Sequence, residues 1–201
     1  REVLRIDAAD GVAVVQPGIL NGELDAVLAE HGLWWPPDPA SREIASVGGN
    51  IATNAGGLLC VEYGVTREWV LGLEVVLADG RVLRTGRRTV KGVTGLDLTA
   101  LVVGSEGTLG IVTEATLKVR RPVAGPVATI GATFATVEDA AAAAAAITAA
   151  GLTTAALELL DERSCIAIAA HFAALGDPED AVDLAGRGAF LLVQCDGPGA
   201  E

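Results

Sequence analysis

The sequence predicts an α+β protein built as two units, and three observations carry that expectation. Ile111–Arg120 alternates, with Ile111, Thr113, Ala115, Leu117 and Val119 on one side, the period of a strand. Trp69–Leu77 and Arg81–Thr85 flank Ala78-Asp79-Gly80, a hairpin signal, so the first unit is expected to hold a mixed or antiparallel sheet. Beyond residue 127 strand-like and helix-like segments take turns, and the change of texture falls at Arg121–Pro126, which carries two prolines and a glycine. A boundary is therefore expected near residue 122, giving units 1–121 and 122–201.

Each element follows from its own chemistry. Arg1–Asp7 and Val12–Gln16 are expected as short strands around Asp10-Gly11. Leu20–His31 places Leu20, Leu24, Val27 and Leu28 on one helical face, with Gly32 as its C-cap. Trp34–Pro39, WWPPDP, excludes helix and reads as a rigid extended corner. Thr89–Gly95 reads as loop, and Leu98–Val103 as a short apolar run leading into a second glycine-rich stretch, GSEGTLG at 104–110. Ser105–Leu109 could close one helical turn. In the second unit Val127–Phe134, Ala155–Leu160 and Ala189–Cys195 read as strands. Val137–Ala150 and Asp161–Ala174 read as helices, and the alanine run at 140–146 is helix propensity.

Composition excludes several function classes. The chain has 201 residues, is 51% hydrophobic and carries a formal net charge of −12. Such an acidic balance speaks against a nucleic-acid groove or a polybasic membrane patch. No run reaches membrane-spanning length without Gly, Pro or charge, and no transmembrane segment is expected. No stretch looks like a signal peptide, although Arg1 is not a natural start. Cys60, Cys165 and Cys195 show neither disulfide nor zinc spacing, which fits a reducing, cytoplasmic compartment.

The chemistry-bearing feature is SVGGNIATNAGG at 46–57, four glycines in twelve residues. Glycine loses the most entropy on folding and buries no side chain, so such a stretch calls for a reason. Neither it nor 104–110 is a P-loop or a G-x-G-x-x-G dinucleotide fingerprint. Tight turns in an ordinary α/β protein would explain them; so would close backbone approach to a ligand, with N–H groups offered to phosphate oxygens. Glu106 brings a carboxylate into the second stretch. His31 and His171 read as structural, and the Trp34–Trp35 pair as core rather than a wall for a planar ligand. No Ser/His/Asp set, metal cluster or carboxylate pair stands out.

The ordered series PPDP (36–39), SVGGNIATNAGG (46–57), YGVTREWVLGLEVVLADG (63–80) and TGLDLTALVVGSEGTLGIVTEATL (94–117) resembles the FAD-linked oxidase family. That is the flavin fold of vanillyl-alcohol oxidase, in its D-2-hydroxyacid dehydrogenase and glycolate oxidase subunit branch. The resemblance implies that 1–121 is the second subdomain of a PCMH-type FAD-binding domain, and that 122–201 begins an α/β (ferredoxin-like) cap, with ALELLD near 155–161 similar to that branch. It also implies the middle of a longer enzyme, cut at both ends.

By that resemblance Gly48, Gly49 and Asn50 lie along the pyrophosphate and ribityl chain of FAD, and Ser46 and Val47 are also cofactor contacts. Ala52, Thr53 and Asn54 approach the flavin, and Gly56 and Gly57 permit the turn. Pro37 and Asp38 shape the preceding loop. Glu106, Gly107, Gly110 and Ile111 line the adenosine end. The implied activity is oxidation of a 2-hydroxyacid by hydride transfer to flavin N5, with electrons passing on to an acceptor and a possible homodimer. This chain supplies cofactor contacts and no catalytic acid, base or metal ligand. Two alternatives stay open: the same flavin fold acting on another alcohol, phenol, lactone or sugar nucleotide, and a non-catalytic fragment without flavin.

Overall fold

A computed structural model describes residues 1–89, 91–175 and 188–197. The chain divides into two compact units, Arg1–Pro122 and Val123–Glu201.

The first unit is built on a five-stranded antiparallel sheet of order β1-β2-β5-β3-β4. β1 (Val3–Asp7) and β2 (Val12–Val15) form a hairpin, closed where the Asp10 N–H donates to Asp7 Oδ1. β3 (Val70–Val76) and β4 (Val82–Gly86) form a second one, and β5 (Ile111–Lys118) lies between the two hairpins. The alternation read in Ile111–Arg120 is real, with Ala115, Leu117 and Val119 in the core. Ile111, however, is 65% exposed. A bulge explains it: β5 pairs Glu114 with Glu74 but Val112 with Val75, so Thr113 is an extra residue that shifts the alternation, Val112 packs on the core and Ile111 turns to the other face.

α1 (Asn21–Ala29) buries Leu24 and Leu28 against this sheet, and Glu23 reaches back to accept the Leu20 N–H. The WWPPDP segment has no regular structure, as expected. Trp35 is buried in the core, whereas Trp34 is only partly covered and meets the Tyr63 ring edge-on at 5.2 Å.

Two segments to which the sequence assigns no regular element are short helices. The stretch 46–57 is not a run of turns: it contains α2 (Val47–Thr53), despite two glycines in seven residues. Ser46 caps it by accepting the Gly49 N–H, and Val47 and Ile51, one turn apart, are both fully buried. That burial outweighs the roughly 1 kcal/mol per glycine that propensity takes away. Leu98–Val102 is likewise a short helix, α4, capped by the Asp97 carboxylate at the Ala100 N–H. α3 (Cys60–Tyr63) and a 3₁₀ turn at Thr66–Trp69 complete the unit. Residue 90, inside the expected loop 89–95, lies outside the described residues.

The second unit runs β6 (Val127–Phe134), α5 (Val137–Ala149), β7 (Ala156–Asp161), α6 (Glu162–Leu175) and β8 (Ala189–Asp196). β8 lies between β6 and β7 and is antiparallel to both. β6 and β7 are thus parallel with one strand between them, the split β-α-β arrangement of a ferredoxin-like layer. Thr136 caps α5 at the Asp139 N–H, and Cys165 of α6 packs with Phe190, Leu160, Ile168 and Leu192.

Candidate functional site

The two glycine stretches, about fifty residues apart in sequence, meet in space. The Gly104 N–H donates to Ile51 O and the Glu106 N–H to Ala52 O, each at 2.9 Å. The second satisfies the Ala52 carbonyl at the end of α2, and the first adds to the Asn54 N–H that Ile51 O accepts at 3.4 Å. Asn54 ends α2 in the left-handed conformation at φ 49°, and its Oδ1 accepts the Arg67 N–H at 2.9 Å.

Opposite α2, the 104–110 segment is a turn rather than the expected helical turn. Thr108 closes it, both its N–H and its hydroxyl donating to Ser105 O at 3.0 and 2.6 Å. Gly104, Glu106 and Gly107 all have positive φ. For Glu106 that is uncommon, since an L side chain in this region costs roughly 1–2 kcal/mol. The backbone turns so that the N–H groups of Gly107 and Leu109 have no protein partner among the described residues.

Between the two segments is a cleft of about 210 Å³ lined by Gly48, Ile51, Ala52, Val102, Ser105 and the run Gly107, Gly110, Ile111, Val112. Of the residues expected at the site, Gly48, Ala52, Gly107, Gly110 and Ile111 line it. The lining is apolar apart from Ser105 and the backbone. It holds no carboxylate or imidazole.

Of the other expected residues, Gly49, Thr53, Gly56 and Glu106 are exposed, and several of the rest lie behind this surface. Asn50 turns inward: it is 2% exposed, and its Nδ2 donates to Asn21 Oδ1 at 2.6 Å. Asn21, 0% exposed, also donates to the Pro37 carbonyl at 3.3 Å. Asp38 faces Arg42 at 3.5 Å, and Arg42 in turn holds Asp25 at 2.9 Å. Asp25 also accepts the Trp35 N–H at 3.2 Å; its burial pushes its carboxyl above the ordinary range, against the bond to Trp35 and the Arg42 charge. This polar network ties α1, the proline corner and α2 into one support. Ser46 serves as cap, Val47 is core, and Thr53 donates back to Gly49 O at 3.0 Å.

The α2 N-terminus is not an open anion cradle either. Val47 N–H donates to Ile19 O, Gly48 N–H to Pro17 O and Gly49 N–H to the Ser46 hydroxyl. A side chain on Gly57 would overlap the Asp38 carbonyl, and one on Gly48 would lie 2.9 Å from Pro17 Cβ. Gly107, in contrast, has open space where a side chain would begin.

Sequence reasoning missed Val102, Ser105 and Val112 in the lining, and Arg67 beside it. Nothing in their spacing marks them; only the fold brings them to the junction. Among the described residues no group of His, Cys, Asp and Glu could hold a metal ion, and no helix is long and apolar enough to cross a membrane.

Comparison with known proteins gives two family matches: an FAD binding domain over residues 1–86, and the C-terminal domain of FAD linked oxidases over residues 125–201. The glycolate oxidase subunit GlcD of Bacillus subtilis (strain 168) is 44% identical over 197 residues, covering 98% of this chain and 40% of that protein. The D-lactate dehydrogenase of Archaeoglobus fulgidus is 44% identical over 137 residues, covering 68% of this chain and 30% of its own. The chain superposes on an alkyldihydroxyacetonephosphate synthase with a TM-score of 0.75 at 26% identity, over 98% of this chain and 37% of that one. It spans about 40% of the length of the relatives matched along its whole extent.

Proposed function

We propose that this chain, which belongs to the FAD-linked oxidase family, holds part of an FAD molecule in the cleft between Val47–Thr53 and 104–112, within an enzyme that oxidises a 2-hydroxyacid. The observation that supports the cofactor reading best is the junction itself. Two glycine-rich segments are hydrogen-bonded together, and they border an apolar slot whose lining includes Gly107, with its unpaired N–H group. A planar, anion-bearing ligand suits that combination of apolar wall and outward donor. At about 210 Å³ the slot is smaller than the roughly 300 Å³ at which sites for drug-sized ligands begin, so a dinucleotide extends beyond it.

In this reading the Gly107 N–H donates to the cofactor, and Ile51, Ala52 and Ile111 exclude water from one of its faces. Gly48 and Gly110 keep the slot narrow without filling it. Glu106 keeps the turn open through its strained backbone. Ser46, Val47, Asn50, Pro37, Asp38 and Gly57 act from behind, by holding α2 and the proline corner in place. When bound, FAD supplies the electron acceptor for a hydride leaving the substrate's α-carbon. The described residues around the cleft contribute binding and orientation, with no proton-transfer group.

The substrate class rests on the relatives, named as a glycolate oxidase subunit, a D-lactate dehydrogenase and a D-2-hydroxyglutarate dehydrogenase. The acids in those names share a hydroxyl on the carbon next to a carboxylate. The test is anaerobic mixing of the flavin-loaded protein with glycolate, D-lactate and D-2-hydroxyglutarate. Bleaching of the oxidised-flavin band by at least one of them is expected. A protein that binds FAD but is bleached by none does not act on these acids, and one that takes up no FAD refutes the cofactor site.

A further inference from the structure

We infer that Arg67, which sits at the junction beside the cleft without lining it, is placed to neutralise negative charge on bound FAD where the cofactor extends beyond the slot; the inference rests on the cofactor reading above. Arg67 lies on the 3₁₀ turn Thr66–Trp69, outside both glycine stretches, yet it is fastened to each of them. Its backbone N–H donates to Asn54 Oδ1 at 2.9 Å, at the end of the first stretch. Its Nη2 donates to Val103 O at 3.3 Å, at the start of the second. The same Nη2 lies 3.9 Å from the point where a side chain on Gly104 would begin.

The guanidinium is thus held at the seam where the two stretches join. Only one of its five N–H donors is used by Val103, and the others are available to a ligand. Arg5, Arg42, Arg81 and Arg84 each pair with a carboxylate, whereas Arg67 makes no ion pair among the described residues. Arg87, Arg88 and Lys91 are also exposed and unpaired, but no side-chain bond ties any of them to the cleft. Two fixed anchor points, one through the backbone and one through the side chain, distinguish Arg67 as a built feature of the site. It is fixed before a ligand arrives, so less side-chain freedom is lost on binding.

FAD offers two anionic regions, the pyrophosphate and the reduced isoalloxazine ring, and the chemistry that recognises them is shared. The test compares Arg67→Gln and Arg67→Lys with the unaltered protein. FAD affinity is measured by flavin fluorescence at low and high salt, riboflavin affinity in parallel, and the two-electron midpoint potential against a reference dye. If Arg67 faces the ring, Arg67→Gln weakens the reduced form about tenfold more than the oxidised form, a fall of about 30 mV. If it faces the pyrophosphate, oxidised FAD binds about tenfold more weakly with a shallower salt dependence, and riboflavin is unaffected. In either case Arg67→Lys recovers part of the effect, because the charge remains. An Arg67→Gln protein with unchanged affinity and potential, whatever its melting temperature, refutes the inference. Failure of the unaltered protein to bind FAD refutes the cofactor reading instead.

Discussion

Asn21→Leu is the sharpest probe of how the cleft is held. Asn21 is fully buried at the start of α1; its Oδ1 accepts from Asn50 Nδ2 at 2.6 Å, and its Nδ2 donates to Pro37 O at 3.3 Å. A leucine removes these bonds and a longer one from Nδ2 to Asp25 Oδ2 at 3.5 Å; Asp25 keeps Arg42 and the Trp35 N–H, but Asn50 Nδ2 and Pro37 O are left without partners, at about 1–3 kcal/mol each, or about 2–6 kcal/mol together. Added apolar burial returns about 1–2 kcal/mol, which leaves a net loss of about 3 kcal/mol. Asn50→Leu orphans only Asn21 Oδ1 and costs about 1–3 kcal/mol by the same reckoning. The double variant has no orphan at the Asn21–Asn50 contact, where the single variants leave one each, so its loss falls short of the sum of the single losses by about 2–6 kcal/mol. Urea denaturation followed by tryptophan fluorescence reads this in the first unit alone, because Trp34, Trp35 and Trp69 all lie in Arg1–Pro122. The reasoning fails if Asn21→Leu is within 1 kcal/mol of the unaltered protein, the low end of the cost of one orphaned group, or if the two losses simply add.

Three further outcomes follow from neighbouring residues. Gly57→Ala drives a side chain into the Asp38 carbonyl, a backbone atom with no room to yield, and is expected to cost about 2 kcal/mol or more, read as a lower urea midpoint. Gly107→Val meets no atom but sits at φ +76°; it is expected to stay folded, lose about 1–2 kcal/mol and purify with less flavin per protein, and a normal ratio would remove Gly107 from the site. Asp25 has its folded-state carboxyl raised by burial, so the folded protein binds the proton more tightly than the unfolded chain does. Its contribution to stability is therefore largest below the ordinary value of 3.8 and declines as pH rises through the raised one. Stability curves of Asp25→Asn and the unaltered protein should shift in favour of Asp25→Asn as pH rises across that window, and a shift the other way contradicts the assignment.

Local pattern made much of the fold legible. The alternation of Ile111–Arg120, the Ala78-Asp79-Gly80 turn and the helix-strand sequence after 127 correspond to β5, the β3–β4 hairpin and the second unit's elements. α2 was not legible, because its two glycines lower helix propensity while the burial of Val47 and Ile51 that offsets them is a tertiary effect. Ile111 shows the opposite case: its period assigns it to the core side, and only the bulge at Thr113, a matter of the pairing with β3, turns it to the other face. The resemblance pointed to both glycine stretches but could not show which side of each backbone faces the ligand. That depends on Asn21, far from either motif, which draws the Asn50 side chain inward. Arg67 could not be read at all, because its place beside Asn54 and Val103 exists only after folding.

The glycines of SVGGNIATNAGG serve the chain's own packing at least as much as a ligand. Gly57 is required by the Asp38 carbonyl and Gly48 by Pro17, contacts internal to the first unit. The donors that a glycine-rich helix start would offer to a phosphate are already taken by Ile19 O, Pro17 O and the Ser46 hydroxyl. The unpaired donors are in the second stretch, at Gly107 and Leu109. The two stretches therefore divide the work. The first is a thin, tightly supported wall whose glycines let neighbouring backbone press against it, and the second presents the hydrogen-bonding edge. Substitutions in the first should lower stability and flavin content together, because the wall must exist before anything can lie against it. Substitutions at Gly107 should separate the two, lowering flavin content more than stability, since that glycine meets no neighbour of its own chain.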